Sequence, residues 1–479
     1  MVTGTTAFIV LDTALQQVLT PEQAWHYRII PRQSGDSMVH FYIDEEKQNN
    51  QVAEELEMLF GKQVELCALP VDVIEKNLAK YYRKNDRAKN RTEVKINKDE
   101  DFLITLIRDA KQVGSSDIHI ESYEEKCRVR LRIDGHLVEK YLIQRSDYPA
   151  LINKIKIKAN LDIAEKRLPQ DGRIYFEDHN EKFDIRVSVL PALYGEKVVM
   201  RLLNKDATDI DIHNLGFNEM ELGYYLEGIS KPHGIILISG PTGSGKTTTL
   251  YATLKILNKE KNNIITIEDP IEYTLDGINQ VQLKENIGLT FAQALRTFLR
   301  QDPDIIMVGE IRDAETANIA IRASLTGHLV LSTIHTNSAW GTVSRLADMG
   351  VPPYLLAGTL SLTVAQRLVR LLCPNCKKEE VFSASLLPAG TKVPMPLEKH
   401  YKAVGCNHCY HTGYKGRKAI YEVIPITPEL SEQIRNNDLH IDEFVKEKNI
   451  RLLRDNAFEL FSRGETSLEE IYPVLLNSK

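Results

Sequence analysis

The chain has 479 residues, of which 43% are hydrophobic and 26% are charged, and its formal net charge is −6. At roughly 150 residues per domain, this length predicts about three domains of ordinary globular composition. The acidic balance argues against a protein whose main surface grips nucleic acid, because phosphate contacts require clustered Lys and Arg. No run reaches the ~18 apolar residues that span a bilayer. No basic segment precedes the apolar stretch at 7–11, so we expect a cytoplasmic protein.

Residues 1–82 predict a small N-terminal α/β domain. Apolar runs at 8–11 and 38–43 indicate strands. Apolar residues at helical spacing in 51–60 and 71–82 indicate two helices. The domain is short, and we expect it to dock on a partner.

Residues 83–98 are charged and almost free of apolar side chains, which predicts a solvated linker. A nucleic-acid-binding arm is the alternative interpretation. Residues 99–205 then predict an α+β domain, with a helix at 102–110 and strands that alternate apolar and polar residues. Such alternation is typical of half-buried antiparallel strands. The strands are expected at 117–120, 127–133 and 182–189.

Residues 206–479 predict an α/β domain built on a parallel sheet. Four short, continuous apolar runs alternate with helical patterns, as in sheets that helices cover on both faces. The runs are 234–239, 264–267, 305–308 and 329–333. After residue 425 the pattern becomes helical, so we expect C-terminal helices over 426–479.

One segment between the first apolar run and the following helix matches the phosphate-binding pattern Gly-x-x-x-x-Gly-Lys-Thr. Glycines let such a loop turn tightly and direct its N–H groups inward. Lys246 is expected to contact the β- and γ-phosphates, and the Thr247 hydroxyl is expected to coordinate Mg²⁺. A glycine-rich turn without a ligand is the alternative. The predicted ATP contacts are Gly240, Pro241, Thr242, Gly243, Ser244, Gly245, Lys246, Thr247 and Thr248.

Polar side chains follow three of the predicted parallel strands, where open α/β sheets bind their ligands. Glu310 is the predicted base that orients the attacking water, and Glu272 is the next candidate. Glu268 and Asp269 are expected to contact the metal side of the nucleotide through water. His335 ends a third strand, and we expect it to sense the γ-phosphate or to relay motion to a neighbouring subunit.

Four of the six cysteines form two Cys-x-x-Cys pairs. Each pair places two thiolates on one tight turn, and two such turns complete a tetrahedral site suited to Zn²⁺. The long gap between the pairs predicts a small loop or strand pair, and the module is expected over 372–411. The predicted zinc ligands are Cys373, Cys376, Cys406 and Cys409. The isolated Cys67 and Cys127 are predicted to be small buried core residues.

Read together, these motifs resemble the secretion-ATPase superfamily, in particular the assembly ATPases of type II secretion systems and type IV pili. Residues 265–273 are similar to the aspartate box of that family, 299–313 to its second nucleotide motif, and 326–337 to its histidine box. Three further stretches are also similar to family motifs. They are 116–121, 167–173 and 364–370.

The resemblance implies a RecA-like ATPase domain, a homohexamer, and ATP bound between two domains of one subunit. It also implies that arginines of the preceding domain reach the γ-phosphate. Arg173 and Arg186 match those positions, and Arg201 is a third candidate. The implied partners are an inner-membrane platform protein and a membrane-associated docking protein. Membrane association is expected only through these partners, with the ATPase on the cytoplasmic side.

Two other functions remain open at this point. One is a nucleic-acid-translocating or DNA-uptake motor of the same superfamily, although the acidic charge and the lack of interleaved aromatic and basic residues weigh against it. The other is a nucleotide-binding scaffold that does not hydrolyse ATP, against which Lys246, Thr247 and Glu310 all argue. The sequence leaves open whether the chain serves secretion or pilus assembly.

Overall fold

The computed structural model describes residues 9, 11, 15, 18–35, 37–47, 50–82, 92–94, 101–178, 181–203, 211–387, 396–438 and 440–476. The chain divides into two compact units, Met1–Thr92 and Glu93–Lys479. None of the helices in the described part is both long and apolar enough to cross a membrane.

In the described part of the first unit, three helices pack against a three-stranded sheet of order β1-β2-β3. Strands β1 and β2 are antiparallel, whereas β2 and β3 are parallel. The first helix begins with a capping box in which Thr20 and Gln23 satisfy each other's backbone N–H. The elements are α1 (Pro21–Tyr27), β1 (Ile29–Ser34), β2 (Met38–Asp44), α2 (Asn50–Phe60), β3 (Gln63–Leu69) and α3 (Val71–Tyr81).

The strand predicted at 38–43 and both predicted helices are confirmed. The strand predicted at 8–11 and most of the linker predicted at 83–98 lie outside the described residues. One prediction in this unit is wrong, because Cys67 is exposed. It lies in β3, where Val64 and Leu66 point toward the core and the alternation of the strand directs Cys67 to the other face.

The second unit begins with a seven-stranded sheet of order β4-β7-β6-β5-β10-β9-β8. Two helices bury the apolar face of this sheet, so that strand β6 alternates strictly between buried and half-buried residues. The elements are β4 (Thr92–Val94), α4 (Phe102–Gln112), β5 (Asp117–Ser122), β6 (Cys127–Ile133), β7 (His136–Ile143), α5 (Tyr148–Lys158), β8 (Gln170–Asp178), β9 (Glu181–Ala192) and β10 (Gly195–Leu203). The predicted antiparallel strands are confirmed and Cys127 is buried. Strand β4, however, lies inside the stretch predicted to be a linker.

The face of this seven-stranded sheet that the two helices do not cover is charged. Glu121 on β5 is 4% exposed and accepts hydrogen bonds from Arg128 Nε at 2.9 Å and Arg130 Nη2 at 2.6 Å. Burial alone would raise the pKa of Glu121, but the two arginines outweigh it and hold the pKa at about 2. The charges on this face are therefore paired rather than merely solvated.

The second sheet of this unit has the order β13-β12-β14-β15-β11-β16-β19. The six strands from β13 to β16 in this order are parallel to one another. The last strand, β19, is antiparallel to β16. The strands are β11 (Gly234–Ser239), β12 (Ile264–Glu268), β13 (Asn279–Gln282), β14 (Ile305–Val308), β15 (Leu329–Ile334), β16 (Leu360–Leu372) and β19 (Tyr414–Pro425). The parallel sheet is confirmed. The long antiparallel pair β16 and β19 was not anticipated.

Helices cover both faces of the second sheet, and β11, β12, β14 and β15 are fully buried between them. The helices are α6 (Glu219–Ser230), α7 (Lys246–Leu257), α8 (Phe291–Phe298), α9 (Ala314–Leu325), α10 (Gly341–Asp348), α11 (Pro353–Thr359), α12 (Pro428–Arg435), α13 (Asp442–Glu447), α14 (Leu453–Ser462) and α15 (Leu468–Leu476). The predicted C-terminal helices are confirmed. Between the cysteine pairs lies a two-stranded sheet, β17 (Lys378–Val381) and β18 (Lys399–Lys402), as the spacing predicted.

Candidate active site

The loop at 240–247 leaves the carboxyl end of β11 and opens helix α7. Gly240 has a φ of 150° and Gly245 a φ of 90°, values that side-chain-bearing residues rarely adopt. A Cβ at Gly240 would also lie 2.5 Å from the carbonyl oxygen of Gln366. Glycine is therefore required at these two positions by conformation, and at Gly240 also by contact. The resulting turn leads into a helix N-terminus, which is suited to a phosphate.

Lys246 lies within this loop. Its ammonium donates to the carbonyl oxygens of Gly240 at 2.8 Å and Pro241 at 3.1 Å. Burial lowers the pKa of Lys246 and the charge of Arg367 lowers it further, whereas the Glu310 carboxylate opposes both. The Glu310 carboxylate therefore favours the charged form of Lys246. The structure brings together the predicted phosphate-binding lysine and the predicted catalytic carboxylate.

Strand β16 supports the phosphate loop from the side, a role that was not predicted from the sequence. Gln366 is 2% exposed and accepts a hydrogen bond from the Thr249 hydroxyl of α7 at 2.9 Å. A Cβ at Gly245 would lie 2.8 Å from its Nε2 atom. The stretch 364–370 had been noted only as a family motif. The neighbouring strands explain why Gln366 and Arg367 lie beside the loop.

The residues that follow β14 and β15 form a charged cluster. Glu310 has a side chain that is 17% exposed; one oxygen accepts from Arg312, and the other lies 3.5 Å from Nε2 of His335. Arg312 also lies 3.6 Å from Asp269, and the hydrogen bond to Glu310 raises the pKa of Arg312. Arg312 was not predicted as a site residue from the sequence, although it stands only two residues after Glu310. The cluster holds the Glu310 carboxylate between two cationic or ionisable partners.

Glu268 is the last residue of β12, and its buried carboxylate accepts hydrogen bonds from three side chains of the protein. It is 3% exposed and accepts hydrogen bonds from Tyr251, from Thr266 and, at 3.0 Å, from Gln280. Burial and the nearby carboxylate raise the pKa of Tyr251, so the phenol remains a donor. The predicted contact of Glu268 with the metal side of ATP stays a prediction. Its observed partners tie β12 to helix α7.

The predicted arginines lie side by side on the charged face of the first sheet of this unit. Arg173, Arg186 and Arg201 occupy directly opposed positions on strands β8, β9 and β10. Arg186 donates to the carbonyl oxygen of Ile271 and lies 3.5 Å from Glu272. Arg201 pairs with Asp117 at 2.9 Å, and Arg173 is exposed.

Adjacent like charges across a sheet repel one another, and the carboxylates of Glu272 and Asp117 offset this repulsion at Arg186 and Arg201. The contact of Arg186 with the segment after β12 brings this row to the same end of the second sheet as the phosphate loop. It does so within one chain. The predicted ATP position between the two domains is compatible with this placement.

The four predicted zinc ligands form one cluster. Their Sγ atoms all lie within 4.8 Å of one another, and three of the separations are 3.8–3.9 Å. A tetrahedron with Zn–S bonds of ~2.3 Å has edges of about 3.8 Å, whereas a disulfide bond is only ~2.05 Å long. Backbone N–H groups of Gly405 and Gly413 point at Sγ of Cys376 and Cys409. Donor type, separations and supporting N–H groups all fit a zinc ion.

Comparison with known proteins places these features in one family. The family model described as Type II/IV secretion system protein matches residues 95–473. The chain is 47% identical over 384 residues to the Type II secretion system ATPase E of Vibrio cholerae, covering 79% of this chain and 75% of that protein. It is 50% identical over 382 residues to the Type IV pilus assembly ATPase PilB of Myxococcus xanthus, covering 77% and 66%.

Solved structures share the fold. The Legionella pneumophila ATPase DotB superposes with a TM-score of 0.62 at 21% identity, covering 81% of this chain and all of that one. The pilus retraction motor PilT with bound ADP gives a TM-score of 0.53 at 26% identity, covering 78% and 96%. The second unit therefore shares the fold of the secretion ATPases, and the domain built on its parallel sheet is RecA-like. The first unit, Met1–Thr92, lies outside the family match.

Proposed function

The chain belongs to the type II/IV secretion system family of ATPases, and from that premise we propose that it hydrolyses ATP as a homohexamer that powers type II secretion or type IV pilus assembly. One observation carries the proposal: the phosphate loop, Glu310 and His335 converge at one edge of the second sheet. Arg186 reaches that edge from the other sheet. The relatives identical at 47% and 50% are named as ATPases of these two machines.

Each residue has a distinct role in the proposed reaction. Lys246 and the N–H groups of the loop bind the β- and γ-phosphates. Glu310 orients the attacking water and accepts its proton, and Arg312 and His335 hold that carboxylate in place. Mg²⁺, when bound beside Thr247, neutralises charge on the phosphates. Arg186 stabilises the charge that develops on the γ-phosphate and links hydrolysis to movement of its sheet.

The four cysteines hold a structural zinc ion in this proposal. A site closed by four thiolates leaves no position for substrate. Its place between the ends of β16 and β19 supports a role in holding that strand pair, which carries Gln366 and Arg367 beside the phosphate loop. The cluster therefore acts on the ATP site only through the fold.

The first unit is proposed to dock on a membrane-associated partner, and the ring is proposed to act on the cytoplasmic side of the inner membrane against a platform protein. The first unit exposes Met58 and Leu59 on helix α2, with 86% and 47% of their surface accessible. Such residues suit a protein contact. No nucleic acid is part of the proposal.

The test is the rate of phosphate release by the purified full chain with ATP and Mg²⁺, measured as the chain is concentrated through assembly into hexamers. Lys246→Ala serves as the control for contaminating ATPases, because it removes the phosphate-binding ammonium but no packed core residue. Turnover that rises with assembly and is lost in Lys246→Ala is the expected result. No turnover at any state of assembly would refute the motor and favour a nucleotide-binding scaffold.

A further inference from the structure

Glu422 on β19 is a buried carboxylate that the proposed reaction does not use. It is 4% exposed, and its two oxygens accept hydrogen bonds from two backbone N–H groups that are far apart in the chain. Oε1 accepts from Ala339 at 2.8 Å, and Oε2 accepts from Leu453 at 3.2 Å. A buried carboxylate is stable only when its oxygens are satisfied. Each oxygen of Glu422 therefore accepts a hydrogen bond from one of these two partners.

The first partner, Ala339, lies in the segment that leads away from His335. Two further groups hold this segment. The Ser239 hydroxyl, at the end of β11, donates to the carbonyl oxygen of Ser338 at 3.2 Å, and Arg367 donates to the carbonyl oxygen of Asn337 at 2.9 Å. Three strands therefore fix the segment, and two of them, β11 and β16, also border the phosphate loop.

The second partner, Leu453, is the first residue of helix α14. The orphan N–H groups of a helix start require an acceptor, and Glu422 supplies one from the neighbouring strand. A cavity of about 620 Å³ lies between the 337–340 segment and the C-terminal helices, with Pro241 and Leu453 among its lining residues. The 337–340 segment and the C-terminal helices are therefore not packed tightly against each other around this cavity. The Glu422 carboxylate connects them through its two hydrogen bonds.

We propose that Glu422 is a positioning residue for ATP hydrolysis, which holds the segment after His335 in register with helix α14. Movement of the C-terminal helices then changes the placement of His335 beside Glu310, 3.5 Å away. A displacement of about 1 Å in a catalytic site can cost ~10²-fold in rate. The inference rests on the proposed ATP site and adds to it a residue that acts through the backbone of its two partners.

Glu422→Gln is the direct test. Both backbone partners are donors, and the Gln side chain keeps only one acceptor oxygen, so one connection is lost while size is kept. Asp455→Ala is the matched control: Asp455 accepts from the N–H of Leu452 at 3.0 Å at the same helix start, and Ala removes that acceptor as Glu422→Gln removes one of its two. A purely structural role at the start of α14 would give both variants the same phenotype.

The expected result for Glu422→Gln is a kcat at least about tenfold below that of Asp455→Ala, with the KM for ATP changed less than about threefold. Amide hydrogen exchange at Ala339 should be faster in this variant than in the control. If Glu422→Gln does not fold, Glu422→Asp is measured in its place, because the shorter carboxylate cannot span both donors. A kcat within about twofold of the control would overturn the inference. Hydrolysis by the Asp455→Ala protein tests the proposed function separately, because that variant leaves Glu422 in place.

Discussion

Replacing Glu310 by Gln should separate ATP binding from hydrolysis. The amide keeps an oxygen that can accept from Arg312, so the local fold is retained, but it cannot accept a proton from water. Loss of a general base lowers the chemical step by ~10²–10⁴-fold. At ~1.36 kcal/mol per factor of ten, this corresponds to about 2.7–5.4 kcal/mol of transition-state stabilisation.

The structure also predicts the direction of the change in ATP affinity. Burial lowers the pKa of Lys246, and the negative charge of Glu310 partly offsets that lowering. Removing the charge of Glu310 also removes repulsion between the carboxylate and the γ-phosphate. ATP should therefore bind Glu310→Gln as tightly as wild type or more tightly.

The assay is single-turnover hydrolysis with enzyme in excess, combined with an equilibrium titration of a fluorescent ATP analogue. Glu315→Gln is the control, because Glu315 is an exposed carboxylate that pairs with Arg296 at 2.6 Å and has no proposed role in the reaction. A single-turnover rate for Glu310→Gln within about threefold of wild type, or a loss equal to that of Glu315→Gln, would refute the assignment. Glu272 would then be the next candidate.

Three further predictions follow from the same geometry. Because Arg186 contacts the segment after β12 of its own chain, mixing Lys246→Ala with Arg186→Ala subunits should restore no activity in verified mixed hexamers, and recovery would show action between subunits. Protein purified without added zinc should contain about one zinc per chain by metal analysis, and Cys376→Ser should speed proteolysis of the C-terminal region; a metal-free wild type would contradict this. The pKa of Glu121 is held at about 2 in the fold against an ordinary value of 4.5, so its contribution to stability is full above about pH 4.5 and is lost as the pH falls toward 2. The stability difference between wild type and Glu121→Gln should shrink over that window, and a constant difference would refute the pairing.

The features that the sequence predicted are those in which the required residues lie close together in the chain. The phosphate loop is one contiguous segment, and its glycines occupy conformations that glycine favours whatever surrounds them. Each Cys-x-x-Cys pair likewise defines one turn, and only the joining of two turns required the fold. The buried parallel strands could also be predicted, because a strand that is covered on both faces is continuously apolar.

The exposure of Cys67 could not be inferred in the same way, because only the packing of β3 determined which face of that strand is buried. The short strand β4 within a polar stretch is a second example, since pairing with another strand overrode its composition. Local pattern predicts that an element exists more reliably than it predicts what the element packs against.

The supporting contacts of the site were decided by tertiary structure alone. Gln366 is 117 residues from Thr249, Arg186 is 85 residues from Ile271, and Glu422 is 83 residues from Ala339. Each pair meets because the strand order places β16 beside β11, β19 beside β16, and the row of arginines at the end of β12. Composition and periodicity do not predict the order of the strands, since strands with the same apolar pattern can occupy different positions in the sheet. The residue types that perform the chemistry were therefore readable from the sequence, whereas the residues that hold them in place depend on which strands became neighbours.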